Sequence, residues 1–278
     1  MKWNIITDSS CDLFPEENQT GEIQFSSVPF VISVGDQEFV DDETLDLPRM
    51  LQAMAHEKHA SHTACPSPAV WLEQFEKAEN SIAITISANL SGSMNSALTA
   101  RDMALEKDPN KKILILDSRS TGPELVLCVE KIREMIEKGA TMEEIEAWGN
   151  RFFDDTKVLF ALCSFNNLVK NGRMSKMKGI LAQALGMWGI GCGSLEGTIL
   201  IEGKTRGEKK AVKMLVQSMQ EKGYAGGKAC ISHCENPVLA ETLKKNIQES
   251  WPEAEVEILP TRGLCSYYAE HKGLILSF

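Results

Sequence analysis

Residues 81–105 read SIAITISANLSGSMNSALTARDMAL. The run 81–86 is short, apolar and β-branched, the pattern of a strand buried on both faces. From Met94 onward, Met94, Ala97, Leu98, Ala104 and Leu105 recur with helical spacing. Between the two lies Ser87-Ala88-Asn89-Leu90-Ser91-Gly92-Ser93, a turn of small hydroxyl residues around one glycine. A strand that passes into a helix through such a turn leaves the first helical N–H groups facing outward, where they suit an anion.

The same grammar extends in both directions. A strand over 3–7 runs into Thr7-Asp8-Ser9-Ser10, and one over 112–116 runs into Asp117-Ser118-Arg119-Ser120-Thr121. Two or three short strands fit 23–40, broken at Pro29 and at Gly35-Asp36. Asp46 with Pro48 opens one helix and Pro66 with Pro68 another, with Val70, Trp71 and Phe75 inward. Further helices fit 123–137 and 142–153, the second opened by the capping box of Thr141 and Glu144. Alternating strands and helices with short connections predict a parallel, doubly wound Rossmann-like sheet over residues 1–155.

Residues 156–278 follow a different pattern. Strands fit 158–162, 197–202, 228–232, 255–259 and 273–278, with helices over 175–185, 208–222 and 237–249. A hairpin around 189–194 and 197–202 predicts a mixed or antiparallel sheet. The expected fold class is therefore α/β in two domains, divided near residue 155.

Composition narrows the function. With 39 acidic against 29 basic side chains the net charge is −10, which excludes a nucleic acid partner that needs a basic face. No apolar run approaches a membrane span, and Met1-Lys2-Trp3-Asn4 leads straight into a strand, so a cytoplasmic protein is expected. The eight cysteines then read as reduced thiols.

Several motifs lead nowhere. Gly203-Lys204-Thr205 ends like a phosphate-binding loop, but its leading glycine would be residue 198, which is Thr198. The glycines at 186, 189, 191 and 193 do not form a dinucleotide fingerprint. His56, His59 and His62 would lie near one face of a continuous helix, yet they do not form HExxH and no carboxylate or cysteine cluster sits beside them, so no metal site is expected. Arg173, after the turn residue Gly172, reads either as a surface charge or as a counter-charge for an anion.

Five segments together resemble the DegV family: Ile6-Thr7-Asp8-Ser9-Ser10-Cys11-Asp12-Leu13, Thr63-Ala64-Cys65-Pro66-Ser67-Pro68, Ile86-Ser87-Ala88-Asn89-Leu90-Ser91-Gly92-Ser93, Asn171-Gly172-Arg173-Met174-Ser175 and Gly203-Lys204-Thr205-Arg206-Gly207. They occur in family order along nearly the whole chain. The resemblance implies two α/β domains, a bound long-chain fatty acid as the ligand, and no catalysis by the protein alone. A separate ATP-dependent fatty acid kinase would phosphorylate the presented carboxylate, and the pairing allows a transient contact with a membrane surface. No other cofactor and no metal are implied.

By the resemblance, Thr63 and Ser93 bind the carboxylate, with Ser91, Gly92 and Asn95 beside them. Asn171-Gly172-Arg173 matches the family's Gly-Gly-Arg with its first glycine lost. Many members carry a histidine in a His-x-Gly-Pro-Gly segment near the carboxylate; Tyr268, with Ser266 as a neighbour, stands in that place here. The tail walls are expected in apolar stretches such as 180–188. Two other readings stay open: a hydrolase using Ser91 or Ser93 as nucleophile, without a histidine placed by motif as its base, and an interaction protein with an empty cleft.

Overall fold

The computed structural model describes residues 3–15, 21–57, 61–174 and 186–278. The expected helix over 175–185, and most of the expected tail wall, lie outside these residues. From the N-terminus come β1 (Trp3–Asp8), β2 (Ile23–Val28), β3 (Val31–Val34), β4 (Gln37–Val40), α1 (Leu47–His56), β5 (Ser61–Ala64), α2 (Pro68–Phe75), β6 (Asn80–Thr85), α3 (Ser93–Lys107) and β7 (Lys112–Asp117). Then follow α4 (Pro123–Glu137), α5 (Met142–Asp155), β8 (Val158–Leu162), α6 (Asn166–Lys170), β9 (Met187–Gly193), β10 (Ile199–Arg206), α7 (Glu208–Glu221), β11 (Lys228–His233), α8 (Pro237–Ser250), β12 (Glu255–Pro260), α9 (Gly263–Ala269) and β13 (Leu274–Ser277).

The first sheet is parallel throughout, in the order β2-β1-β6-β7. Period-two alternation explains why its strands read as continuous apolar runs. Ile5, Ile82 and Ile84 face α4 and α5, whereas Ile6 and Ala83 face α2 and α3. On α3 the buried stripe is Ala97, Ala100 and Ala104, small enough for the helix to lie close to Trp71 and Phe75 of α2.

The second sheet is mixed, in the order β10-β9-β8-β13-β11-β12. The last strand, β13, inserts antiparallel between β8 and β11. One face, with Leu159, Ile190, Ile231 and Leu276, packs on α7 and α8. The other carries Val158, Phe160, Leu162 and Ile275 toward the first sheet. Helix α4 bridges the two sheets, touching β1 on one side and β11 and β13 on the other.

Residues 61–64 form the strand β5, in a separate antiparallel sheet of order β4-β3-β5. The three histidines do not share a helix: α1 ends at His56 with Glu57 extended behind it, His62 lies on β5, and His59 falls outside the described residues. Gly203-Lys204-Thr205 lies within β10, in keeping with its rejection as a phosphate-binding loop. The eight cysteines are free thiols, as expected.

Candidate functional site

A cavity lies between the second sheet and the carboxyl edge of the first. Its floor is the alternating face of β8, Val158, Phe160 and Leu162, with Ile275 beside it. Alternation places every second side chain of that strand in the cavity. The ring of Phe160 has room because its cross-strand partner is Gly191, where an added Cβ would fall 2.4 Å from the ring. Leu168 of α6, Ala269 of α9 and Leu90 complete the lining, together with Leu264 of α9, which packs with Phe30 and Ile86. The expected tail wall at Trp188 is not there: that side chain points to the opposite face of β9, into the α7–α8 core.

One end of this apolar space is polar. Thr63 from β5 and Tyr268 from α9 join hydroxyls at 2.9 Å. Two hydroxyls carry two protons and this bond uses one, so the other remains to donate to a ligand. Burial pushes the Tyr268 hydroxyl's pKa above its ordinary value, which keeps it protonated at neutral pH. The Arg173 guanidinium lies 5.9 Å from the Tyr268 ring centre, donates from Nε to the Leu90 carbonyl at 3.1 Å, and donates from Nη1 to the Asn171 carbonyl at 2.7 Å. Among the described residues no carboxylate pairs with it. A half-buried guanidinium with no carboxylate partner among the described residues, at the mouth of an apolar cavity, has the charge and donor geometry that suit an anion.

Tertiary contacts hold these groups in place. Tyr267 donates to Ser61 Oγ at 2.8 Å and accepts from Asn171 Nδ2 at 2.9 Å, so one phenol ties β5, the Arg173 loop and α9 together. Helix α9 starts where it does because Asp41 accepts from the first backbone groups, Gly263 N at 2.8 Å and Leu264 N at 2.7 Å. Arg262, directly before the helix, is buried and donates to Leu13 O, Ser27 Oγ and Asp41 O. Asp12 accepts from Arg262 N, and burial raises its carboxyl to about 6.

Of the eight expected site residues, Thr63, Ser91, Arg173 and Tyr268 line the cavity. The other four do not. Ser93 is fully buried, and its one hydroxyl proton goes to Asp8 Oδ2 at 2.6 Å. Asp8 also accepts from Ile86 N and Ser10 Oγ, which fixes the strand end against the turn. Ser93 thus braces the loop from behind rather than facing a ligand. Gly92 is the residue before α3 and approaches Cys65, Asn95 is exposed on the first turn of α3, and Ser266 is buried against Thr261 at 2.7 Å. Ser91 Oγ accepts from Ser93 N at 3.2 Å. Neither serine has a histidine hydrogen-bonded to it among the described residues.

Sequence reading missed Asp8, Asp41, Arg262 and Tyr267 as organisers of the site. Asp8 was visible only as part of a hydroxyl-rich loop. Arg262 sits in Leu259-Pro260-Thr261-Arg262-Gly263, where nothing in the pattern distinguishes a buried arginine from a surface one.

An apolar cavity bordered at one end by hydroxyls and the Arg173 guanidinium has the make-up of a binding site for an amphipathic anion in an α/β protein. Comparison with known proteins supplies the family. A profile of the DegV family of uncharacterised proteins matches residues 2–276, and this chain belongs to that family. A DegV domain-containing protein of Streptococcus pneumoniae is 41% identical over 278 residues, covering 100% of this chain and 99% of the relative. The crystal structure of the Streptococcus pneumoniae fatty acid kinase B3 protein, loaded with linoleic acid, superposes with a TM-score of 0.96 at 41% identity, over 100% of this chain and 99% of that one. A DegV family protein from Eubacterium eligens loaded with heptadecanoic acid superposes with a TM-score of 0.94 at 38% identity, over 99% and 98%. Among the described residues no helix is long and apolar enough to cross a membrane, and no cluster of metal-ligating side chains occurs.

Proposed function

We propose that this protein binds one long-chain fatty acid and presents its carboxylate to a separate ATP-dependent fatty acid kinase. The observation that carries the reading is the cavity itself, apolar along β8 and ending at Thr63, Tyr268 and Arg173. Its likeness to structures loaded with linoleic and heptadecanoic acids supports the same ligand class. In this reading Arg173 supplies charge-assisted donors, Thr63 and Tyr268 supply a neutral one, and Ser91 lies alongside; Ser93, Gly92, Asn95 and Ser266 shape the loops behind them. Each buried CH₂ contributes about 0.8 kcal/mol, so a tail of about fifteen offers at most ~12 kcal/mol before ordering costs are subtracted. The protein acts in the cytoplasm, takes its acid at a membrane surface by transient contact, and performs no phosphoryl transfer itself. The division near residue 155 belongs to this reading: residues 1–155 carry Thr63 and the Ser91 loop, and residues 156–278 carry the tail floor.

The test begins with an organic extract of the purified protein analysed by mass spectrometry. One fatty acid per chain is expected. Incubation with ATP, magnesium and fatty acid should give acyl phosphate only after a fatty acid kinase is added. An empty extract together with turnover of ester substrates would overturn the carrier in favour of the hydrolase.

The head group also sets a pH signature. Burial moves the Tyr268 hydroxyl upward, away from neutrality. Fatty acid affinity is therefore expected to stay nearly constant across pH 5–8, the range in which an ordinary histidine titrates. Tyr268→His should instead bind more tightly below pH ~6.5, where the imidazolium favours a carboxylate, and weaken above it. Fluorescence titrations at graded pH check both arms; a steep pH dependence in the wild type would place another titrating group at the head.

A further inference from the structure

The polar mouth accounts for only one end of the cavity. Following β8 backward from Leu162, which adjoins α6 and the Arg173 loop, the floor side chains are Phe160 and then Val158. Four residues of strand span about 13 Å, so Val158 is the floor residue farthest along β8 from Leu162. There the cavity meets Gly193, whose added Cβ would fall 2.8 Å from Val158 Cγ1. Ser120, itself a lining residue, belongs to a buried polar layer in which Glu124 accepts from Ser120 Oγ at 2.5 Å and from Thr156 Oγ1. An alkyl chain gains nothing by entering such a layer and would displace bonds that satisfy a buried carboxyl.

The roof of this end is the turn between β9 and β10. Ser87 Oγ donates to Gly197 O at 2.7 Å, Asn89 Nδ2 donates to Glu196 O at 2.5 Å, and Arg119 Nη1 donates to Leu195 O at 3.3 Å. Three side chains from the edge of the first sheet thus hold the turn of the second over the distal end.

Resting on the fatty acid reading above, we propose that Val158 with Gly193, beneath the clamped β9–β10 turn, forms the stop for the terminal methyl and so sets the acyl chain length this protein prefers. The head-group residues contact an invariant carboxylate and set affinity for all lengths alike.

The experiment is competitive displacement of a fluorescent fatty acid by a graded saturated series, run on wild type, Val158→Ala, Val158→Phe and Thr63→Ala. Wild-type affinity should rise by about four-fold per added CH₂ up to an optimum and fall beyond it. Val158→Ala should move the optimum to longer chains, with a gain of about four-fold or more for the first length that wild type rejects. Val158→Phe should move it to shorter ones. Thr63→Ala should lower affinity by a similar factor at every length and leave the optimum in place. Should Val158→Phe fail to fold, Val158→Ala still decides. An unchanged optimum in the folded Val158 variants, or a shifted one in Thr63→Ala, overturns the stop while leaving fatty acid binding intact. Failure of wild type to bind any member of the series overturns both readings.

Discussion

Arg262→Met is expected to destabilise the protein by about 3–5 kcal/mol, the range found when one partner of a buried charged pair is removed. The guanidinium is 2% exposed and has no water to replace what it holds. Its Nη1 donates to Leu13 O and Ser27 Oγ at 2.9 Å each, its Nη2 donates to Asp41 O at 2.7 Å, and its Cζ lies 4.9 Å from the Phe14 ring centre. Methionine roughly keeps the volume but offers no donor. Two backbone carbonyls lose their partners, and the buried Asp41 carboxylate loses its counter-charge while still capping Gly263 and Leu264. Helix α9, which carries Tyr268 to the head group, is anchored by this cluster, so fatty acid binding should weaken along with stability. Calorimetry should register a fall in Tm of roughly 6–20 °C. Asp41→Asn combined with Arg262→Met should lose much less than the sum of the single changes, because the pair acts as a unit. A variant that melts with the wild type would mean that the cluster contributes nothing net.

Gly197→Ala is the second large effect. Gly197 has φ +76°, a left-handed backbone that costs a residue with a Cβ about 1–2 kcal/mol. The new Cβ would also fall 2.3 Å from Ser87 Oγ and 2.8 Å from the Arg119 Cα and carbonyl oxygen. Backbone cannot rotate away as a long side chain can, so overpacking adds about 1–3 kcal/mol. The turn then either strains the edge of the first sheet or lifts off it, and lifting removes the roof of the distal end. Expected together are a lowered Tm and a loss of fatty acid affinity of ten-fold or more. Gly223→Ala is the control: φ there is +84° and no atom lies within 4 Å of the added Cβ, so it carries the backbone cost alone. Equal behaviour of the two variants would show that the contact with Ser87 and Arg119 has no energetic weight.

The two residues differ in how far their roles could be read in advance. Gly197 was read as the first residue of the strand 197–202 but lies in the turn before β10, and its contact with Ser87 and Arg119 was not legible. Arg262 was not legible at all. The buried alternation of β1, β6 and β7, the proline and aspartate signals that open α1 and α2, and the capping box of α5 are local properties. They follow from side-chain period and cap chemistry, which act over a few residues, and the structure follows them. Thr63 and Tyr268 were both placed at the head group by family resemblance, yet their shared hydrogen bond spans 205 residues and no periodicity encodes it.

Where sequence reading went astray, the cause was distance along the chain. Ser93 looked like a donor to a ligand because a hydroxyl at a helix start faces outward when only neighbours are considered. A carboxylate 85 residues away, Asp8, takes its proton in the folded chain. Trp188 looked like a tunnel wall because it is apolar, but strand alternation allows either face, and the packing of α7 and α8 decided which. Most elements, the parallel character of the first sheet and the hydroxyl loops at its edge were legible in the chain, since those depend on short-range stereochemistry and hydrophobic period; β5, α6, α9 and the separate β4-β3-β5 sheet were not. Only the tertiary structure decided which hydroxyls keep a proton for a ligand, which arginine is buried, and where the cavity ends, because each depends on partners brought together from remote parts of the chain.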